Sequence, residues 1–515
     1  MKKLFNKLFL SKGSTAVFTA LAALAVLFDY AERYSFVFID NSIFKNFSMA
    51  IFILMIINAV LLFALSSIRM QSSEIYYKKS FRAVFTVSAA YAVFSILFPV
   101  ISLIVGGSEN FQLAFLMIKQ ILPVWVSAVT ILYLLLIVPF MSNQKKKKFA
   151  SAVIAVCLTL AVYSSLFPTS PYKLTSGPAV FDNGHSYSVV FSTNDKGTGY
   201  VEYESNGKTV RLFDENNGRK NGDSIIHTIK VPYEQLNGRS YKIGSTRVID
   251  ELSYGGRSGK TVESNEYKFG GSFDSNINLL TVSDWHTHTS LAKRSISYLG
   301  GYDAVLLLGD SVPGLMFEEE AASNIVKFAA DLTSGTMPVI FTRGNHETRG
   351  RSASKLSEYL GFDEFYFKAK LGNYNFIVLD SGEDKVDSHP EYGGMVVYEQ
   401  SRRDMVSWLE ALENTNCEKT IALSHSDEIC IEDNLSEQAQ LKLTELNTSI
   451  LLSGHQHKTE YKTDGAYPVL VDGGVNANGN GTFVACMVSL SNDKINIKCV
   501  DNNGKTVLEE NAVWK

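Results

Sequence analysis

The sequence predicts a multi-domain chain in three parts: an N-terminal α-helical membrane bundle, a small all-β sandwich, and a C-terminal α/β domain that carries the chemistry. Three observations predict it. Nearly all long apolar runs lie within residues 13–167, residues 172–275 break into short alternating runs with turn signals, and from residue 278 apolar strand-like segments repeatedly end in Asp or His. A chain of 515 residues exceeds one ordinary domain of roughly 150 residues. The formal net charge of -4 averages unlike regions and includes no strongly basic domain, so no nucleic-acid partner follows from charge.

Five stretches within residues 1–168 are long enough to cross a bilayer, near 14–30, 46–67, 83–106, 114–141 and 149–167. Lys2, Lys3, Lys7 and Lys12 precede the first; Arg69, Lys78, Lys79 and Arg82 separate the second and third; Lys145 to Lys148 separate the fourth and fifth. All three basic clusters share one side only with five spans and a cytoplasmic N-terminus, which puts the remaining chain outside. The expectation is a multi-pass protein of a bacterial plasma membrane with an extracytoplasmic catalytic domain and membrane lipid as a partner. No span carries a central charged pair of the kind that marks an ion pathway, so transport is not expected.

Over 172–275 the runs SYSVVFST, GYVEYES, KTVRLF, HTIKVP and SYKIGSTRVI alternate with Asn-Gly pairs at 183–184, 206–207 and 237–238, the pattern of a small antiparallel β-sandwich. IHTIKVPYEQLNGRSYKIG resembles the end of the fibronectin-type domain that precedes the catalytic domain of purple acid phosphatases. Of the five cysteines, none forms a CxxC pair. Cys486 and Cys499 sit symmetrically about a turn at Asn492-Asp493 and could either face each other across a hairpin or be two buried thiols.

Residues 278–515 carry the informative motifs. NLLTVSDWHTH ends an apolar strand in Asp284 and His286; AVLLLGD ends in Asp310; PVIFTRGNHE ends in Asn345 and His346; TIALSH ends in His425; and SILLSGHQH ends in His455 and His457. Carboxylate, imidazole and amide oxygens at the carboxyl ends of strands converge on one sheet edge, where α/β proteins place ligand sites. Five of the nine histidines fall at such ends, beside Asp or Gly.

In this order, Asp-x-His, Gly-Asp, Gly-Asn-His-Glu, a separate His and Gly-His-x-His resemble the signature of calcineurin-like metallophosphoesterases over about residues 278–490. The resemblance implies a two-sheet β-sandwich flanked by helices and a centre of two divalent or trivalent metal ions. Asp284, His286 and His457 would hold one ion, Asn345, His425 and His455 the other, and Asp310 would bridge them. Mixed nitrogen and oxygen donors suit Mn, Fe or Zn better than Ca or Mg. Ions about 4 Å apart clamp a phosphoryl group and make hydroxide available, so phosphate mono- or diesters are the expected substrates. His346 would stabilise the transition state or protonate the leaving oxygen. Purple acid phosphatases carry a tyrosine ligand three residues after the bridging Asp and lack the first-motif histidine; here Pro313 and His286 stand there, which implies a colourless enzyme. Arg343 and Arg349 are phosphate-contact candidates, Glu347 a hydrogen-bonding support, His288 a solvent-exposed residue, and His389 a residue of a loop that could border the pocket. Lipid-linked or cell-envelope phosphodiesters are the alternative substrates. A non-catalytic scaffold is disfavoured because no motif is lost.

Overall fold

The computed structural model describes residues 171–514 except 252–255, 272, 274, 415–418 and 480. Two large sheets dominate. The first has nine strands in the order Thr506–Val513, Lys494–Asp501, Val484–Leu490, Ile277–Val282, Ala304–Leu307, Pro338–Phe341, Ala179–Asp182, Tyr187–Ser192 and Ile226–Val231. The second has six, in the order Phe367–Leu371, Tyr374–Val378, Lys419–Leu423, Thr448–Ser453, Val469–Val471 and Glu460–Lys462. Side chains of both sheets share one apolar core, including Leu280, Leu306, Ile340, Phe376, Leu423 and Leu452. The strands that lead into the expected ligands read as near-continuous Val/Ile/Leu runs because they are buried on both faces, as parallel strands are.

Parallel pairing sets the position of the site. Ile277–Val282 pairs in parallel with Ala304–Leu307, and that strand with Pro338–Phe341. Tyr374–Val378, Lys419–Leu423 and Thr448–Ser453 also run parallel to one another. Each sheet thereby sends its carboxyl ends, and the residues after them, to one edge. On the far face of the second sheet, the helices Tyr398–Glu410 and Asp433–Glu445 bury Met405, Leu409, Leu435 and Leu443 against Ile377 and Leu451.

Two parts of the expected fold class are corrected. The membrane bundle is one. Among the described residues no helix is long and apolar enough to cross a membrane; the longest have 13 residues, about 20 Å at 1.5 Å per residue against a hydrocarbon core of about 30 Å. The five expected spans lie outside the described residues, so the multi-pass plasma-membrane assignment is set aside with the bundle. The other is the separate fibronectin-like sandwich. Ala179–Asp182 pairs in parallel with Pro338–Phe341, through Val180 opposite Pro338 and Phe181 opposite Val339, so strands of the 172–275 region extend the nine-stranded sheet. Five further strands, Gly197–Ser205, Lys208–Phe213, Ser240–Glu251, Gly256–Glu263 and Tyr267–Lys268, form their own sheet. Val201, Tyr203, Tyr241 and Ile243 from it pack on Val189, Phe191 and Ile229 of the nine-stranded one.

Cys486 and Cys499 are directly opposed on the neighbouring strands Val484–Leu490 and Lys494–Asp501 and form a disulfide. Cys430 is a buried free thiol.

Candidate metal centre

Three of the five strands that lead to the site, Ile277–Val282, Ala304–Leu307 and Thr448–Ser453, are followed by a turn that only a constrained backbone adopts. Asp284, His286, Asp310, His455 and His457 all have positive φ, between 35° and 70°. A non-glycine residue in that region costs of order 1–3 kcal/mol and persists where the surroundings over-determine it, commonly at functional sites. Five of the seven expected ligands carry this cost. Gly309 makes the turn before Asp310 possible: its φ is 93°, and a Cβ there would lie 2.6 Å from the Gly344 nitrogen and 2.8 Å from His425 Nδ1.

The seven expected ligands and His346 are brought together. Asp284, His286 and His457 form one group, His286, Asp310 and His346 a second, and Asp310, His425 and His455 a third, with ligand atoms within 4.8 Å of one another in each. Asp310 Oδ2 lies 3.6 Å from His286 Nε2, 3.4 Å from His425 Nε2 and 3.9 Å from His346 Nε2. Asn345 joins through its Oδ1, 3.2 Å from His425 Nε2 and 3.2 Å from His455 Nδ1. His457 Nδ1 is 3.6 Å from Asp284 Oδ1.

Hydrogen bonds outside this cluster aim its members. His425 Nδ1–H donates to the Leu308 carbonyl at 2.7 Å, which leaves Nε2 facing inward. His346 Nδ1–H likewise donates to the Pro313 carbonyl at 2.9 Å, and its amide donates to Asp310 Oδ1 at 2.9 Å. Asp284 Oδ2 accepts from the Ser283 hydroxyl at 2.5 Å and the His455 amide at 2.9 Å. Glu347 accepts from the amides of Asp310 at 2.8 Å, Ser311 at 2.5 Å and Gly344 at 2.8 Å, and from the Ser311 hydroxyl. It therefore braces the backbone under Asp310 rather than touching a ligand side chain.

Two observations test whether these residues fit metal ions. Asp284 Oδ1 and His286 Nε2 are buried without a hydrogen-bond partner, although both are strong polar atoms. The charge distribution also calls for a cation. Burial opposes ionisation of Asp310, but His425 overrides it and holds the carboxyl well below the usual range, while Asp310 and Asp284 push His425 up to about 10 against its own desolvation. Burial raises Asp284 to about 6, aided by the Asp310 charge, and lowers His286 to about 4. A buried pair of carboxylates that protonates an imidazole whose inward nitrogen faces Asn345 Oδ1 has a proton where a metal ion fits the donor set.

The other candidates separate clearly. Arg343 is committed to Asp380, with its guanidinium 4.7 Å from the Phe365 ring centroid. Arg349 faces the site, with Nη1 3.2 Å from His346 Nε2, and is clamped by Glu383 through Nε at 2.7 Å and Nη2 at 2.9 Å. His288 precedes the helix Thr289–Ile296 and its Nε2 is buried rather than exposed. His389 starts a short turn over Pro390–Tyr392. Sequence reasoning missed Glu383 and the buried Asp472, which accepts from Thr281 Oγ1 at 3.0 Å and whose carboxyl burial raises well above its ordinary range. Asp472 follows the apolar strand Val469–Val471, the same signal that marked Asp284 and Asp310.

Residues 277–459 match the calcineurin-like phosphoesterase family. With the metal-type clusters above, this makes the chain a metal-dependent phosphoester hydrolase with a calcineurin-like catalytic region. None of the curated proteins compared with it matches the chain. Among solved structures it is similar to a dimetal phosphatase from Danio rerio, at 17% identity over 47% of this chain and 100% of that one, TM-score 0.35. It is also similar to GAP50, the anchor in the inner membrane complex of Plasmodium, at 14% identity over 47% and 90%, TM-score 0.35. A third is the phosphopantetheinyl hydrolase of Mycobacterium tuberculosis, at 14% identity over 40% and 92%, TM-score 0.27. At these scores the likenesses carry no inference about substrate.

Proposed function

We propose that the chain hydrolyses phosphate mono- or diesters at a dinuclear centre. Asp284, His286 and His457 would hold one ion, Asn345, His425 and His455 the other, and Asp310 would be shared. The observation that carries the reading is Asp310 Oδ2, which lies within 3.6 Å of inward-facing imidazole nitrogens from two different motifs, His286 and His425. The donor set of imidazoles, carboxylates and one amide oxygen suits Mn, Fe or Zn. When bound, such a pair supplies Lewis-acid polarisation of phosphoryl oxygens and a more acidic water.

The chain's own residues do the rest. His346 has committed Nδ1–H to Pro313, so Nε2 is the atom that would face the leaving oxygen; here it accepts from Arg349 Nη1, and it would have to exchange that contact for a proton before acting as the acid. Arg349, pinned by Glu383, keeps a guanidinium N–H next to that nitrogen and limits the ring's rotation. Burial of Asp284, His286, Asp310 and His425 keeps bulk water from screening the charges that meet the phosphoryl group. The test is hydrolysis of p-nitrophenyl phosphate and bis-p-nitrophenyl phosphate by the full chain with Mn, before and after chelation. Release of p-nitrophenol that chelation abolishes supports the reading, and the preferred ester separates monoesterase from diesterase. Release that survives complete metal removal contradicts it.

A further inference from the structure

The loops on either side of Arg349 carry exposed apolar side chains. On the segment after Glu383, Met395 is 86%, Val397 75% and Val386 57% exposed; on the segment after Asp310, Phe317 is 51% and Met316 47% exposed. These are five of the ten large exposed apolar side chains among the described residues. Scattered singly, such residues need no explanation; gathered on two adjoining loops, they mark a binding face.

We propose that the site selects phosphoesters whose alcohol carries an apolar chain or ring, and that these two loops form the face that receives it; this rests on the hydrolase reading above. Continuity with the chemistry is the first argument. The segment from Asp310 to Phe317 leaves the shared carboxylate directly and passes Pro313, whose carbonyl holds His346. It is tied to Arg349 by the Leu315 amide, which donates to the Arg349 carbonyl at 2.7 Å. The other segment is tied to the same arginine by Glu383. One residue therefore joins the apolar loops to each other and, through His346 Nε2 at 3.2 Å, to the leaving-group side of the site.

Construction is the second argument. The Glu383–Val397 loop is not a frayed strap. Tyr392 Oη donates to Glu383 Oε2 at 3.0 Å, the Met395 amide donates to the Tyr392 carbonyl at 3.0 Å, and Asp387 Oδ1 accepts from the Tyr398 amide at 3.1 Å. On the opposing loop the Arg351 guanidinium lies 4.4 Å from the Phe317 ring centroid and fixes one face of the ring. The fold thus uses several polar contacts to hold apolar groups in water beside the proposed metal centre. An ester with an anionic phosphoryl group and an apolar alcohol matches both halves of that arrangement.

Two homologous series test it on the full chain at concentrations below micelle formation: alkyl phosphates from methyl to octyl, read by released phosphate, and 4-nitrophenyl alkyl phosphates over the same lengths, read by nitrophenol. In the series the enzyme accepts, kcat/KM is expected to rise about two-fold per added methylene, as half-burial of each CH2 gives. The double variant Met395→Gln, Val397→Thr should flatten that slope, each length being read relative to the variant's own methyl ester. A wild type that hydrolyses every chain length from methyl to octyl equally well overturns the proposal while the hydrolase reading stands. A slope that survives the double variant, with or without a change in sedimentation behaviour, places the selecting surface elsewhere or makes this face a contact between copies, and also overturns it. Hydrolysis of no member removes the hydrolase reading, and this proposal with it.

Discussion

Replacing Glu347 by alanine should unfold the support beneath Asp310. The side chain is buried and receives four donors, the amides of Asp310, Ser311 and Gly344 and the Ser311 hydroxyl. An orphaned buried donor costs about 1–3 kcal/mol, so four sum to roughly 4–12 kcal/mol. Two effects favour the lower end. Water can enter the space alanine leaves, and the lost carboxylate was itself penalised, since burial and then the Asp310 charge raise its pKa. A loss of about 4 kcal/mol is expected, a large share of the 5–15 kcal/mol that stabilises a typical domain. Urea unfolding of the metal-free protein, followed by tryptophan emission, measures it, with Glu347→Gln as the partner variant. Glutamine keeps one acceptor oxygen, so it should lose about half as much. A loss below about 1 kcal/mol for the alanine variant would falsify the claim that this carboxylate sets the Asp310 turn.

Three further predictions follow from residues around the centre and away from it. Gly309→Ala should weaken metal binding at least ten-fold, by metal titration, because its Cβ would meet the Gly344 backbone and His425 at 2.6–2.8 Å with φ at 93°; unchanged affinity would show that the turn can open. His227 is fully buried, and desolvation lowers it from 6.5 to about 3. The unfolded chain therefore takes the proton first, so the stability that neutral His227 contributes is complete above about pH 6.5 and drains as pH falls toward 3. Asp182 and Asp214, raised by burial to about 6 and about 7, have the opposite slope in wild type and variant alike. Chemical denaturation should accordingly show a stability difference between wild type and His227→Gln that shifts by a few kcal/mol between pH 7 and 4, and a parallel pair of curves would refute the burial argument. Removing the disulfide with the pair Cys486→Ala, Cys499→Ala should cost about 3 kcal/mol, the loop-closure value for a separation of 13 residues, read as a lower midpoint in thermal melts under oxidising conditions.

The residues that cluster at the sheet edge were legible in the sequence because they follow apolar strands, and the residue after a buried strand is rarely Asp or His by folding alone. Asp472 shows that the rule was applied too narrowly, since it also ends an apolar run and it supports Thr281 in the strand leading to Asp284. Glu383 had no such signal. It sits in a polar loop with no periodicity, and its importance comes from Arg349 and Tyr392, 34 and 9 residues away in sequence. The strands near residues 179–231 were visible as alternation, but alternation says only that a segment is a strand. Which sheet it joins depends on a parallel pairing between Val180 and Pro338 that no local pattern encodes. The exposed Met316 and Met395 follow strands of different sheets, Ala304–Leu307 and Tyr374–Val378, and no local pattern relates two such segments.

Metal stoichiometry read together with turnover tests the central claim most directly. The metal-stripped full chain is titrated with Mn, Fe or Zn while phosphoester hydrolysis is followed, beside Asp310→Asn. Two ions per chain in the wild type, with activity appearing as the second binds and lost in Asp310→Asn, is the expected result. One ion at full activity, or an Asp310→Asn protein that still binds two and turns over, would contradict a dinuclear centre shared through Asp310.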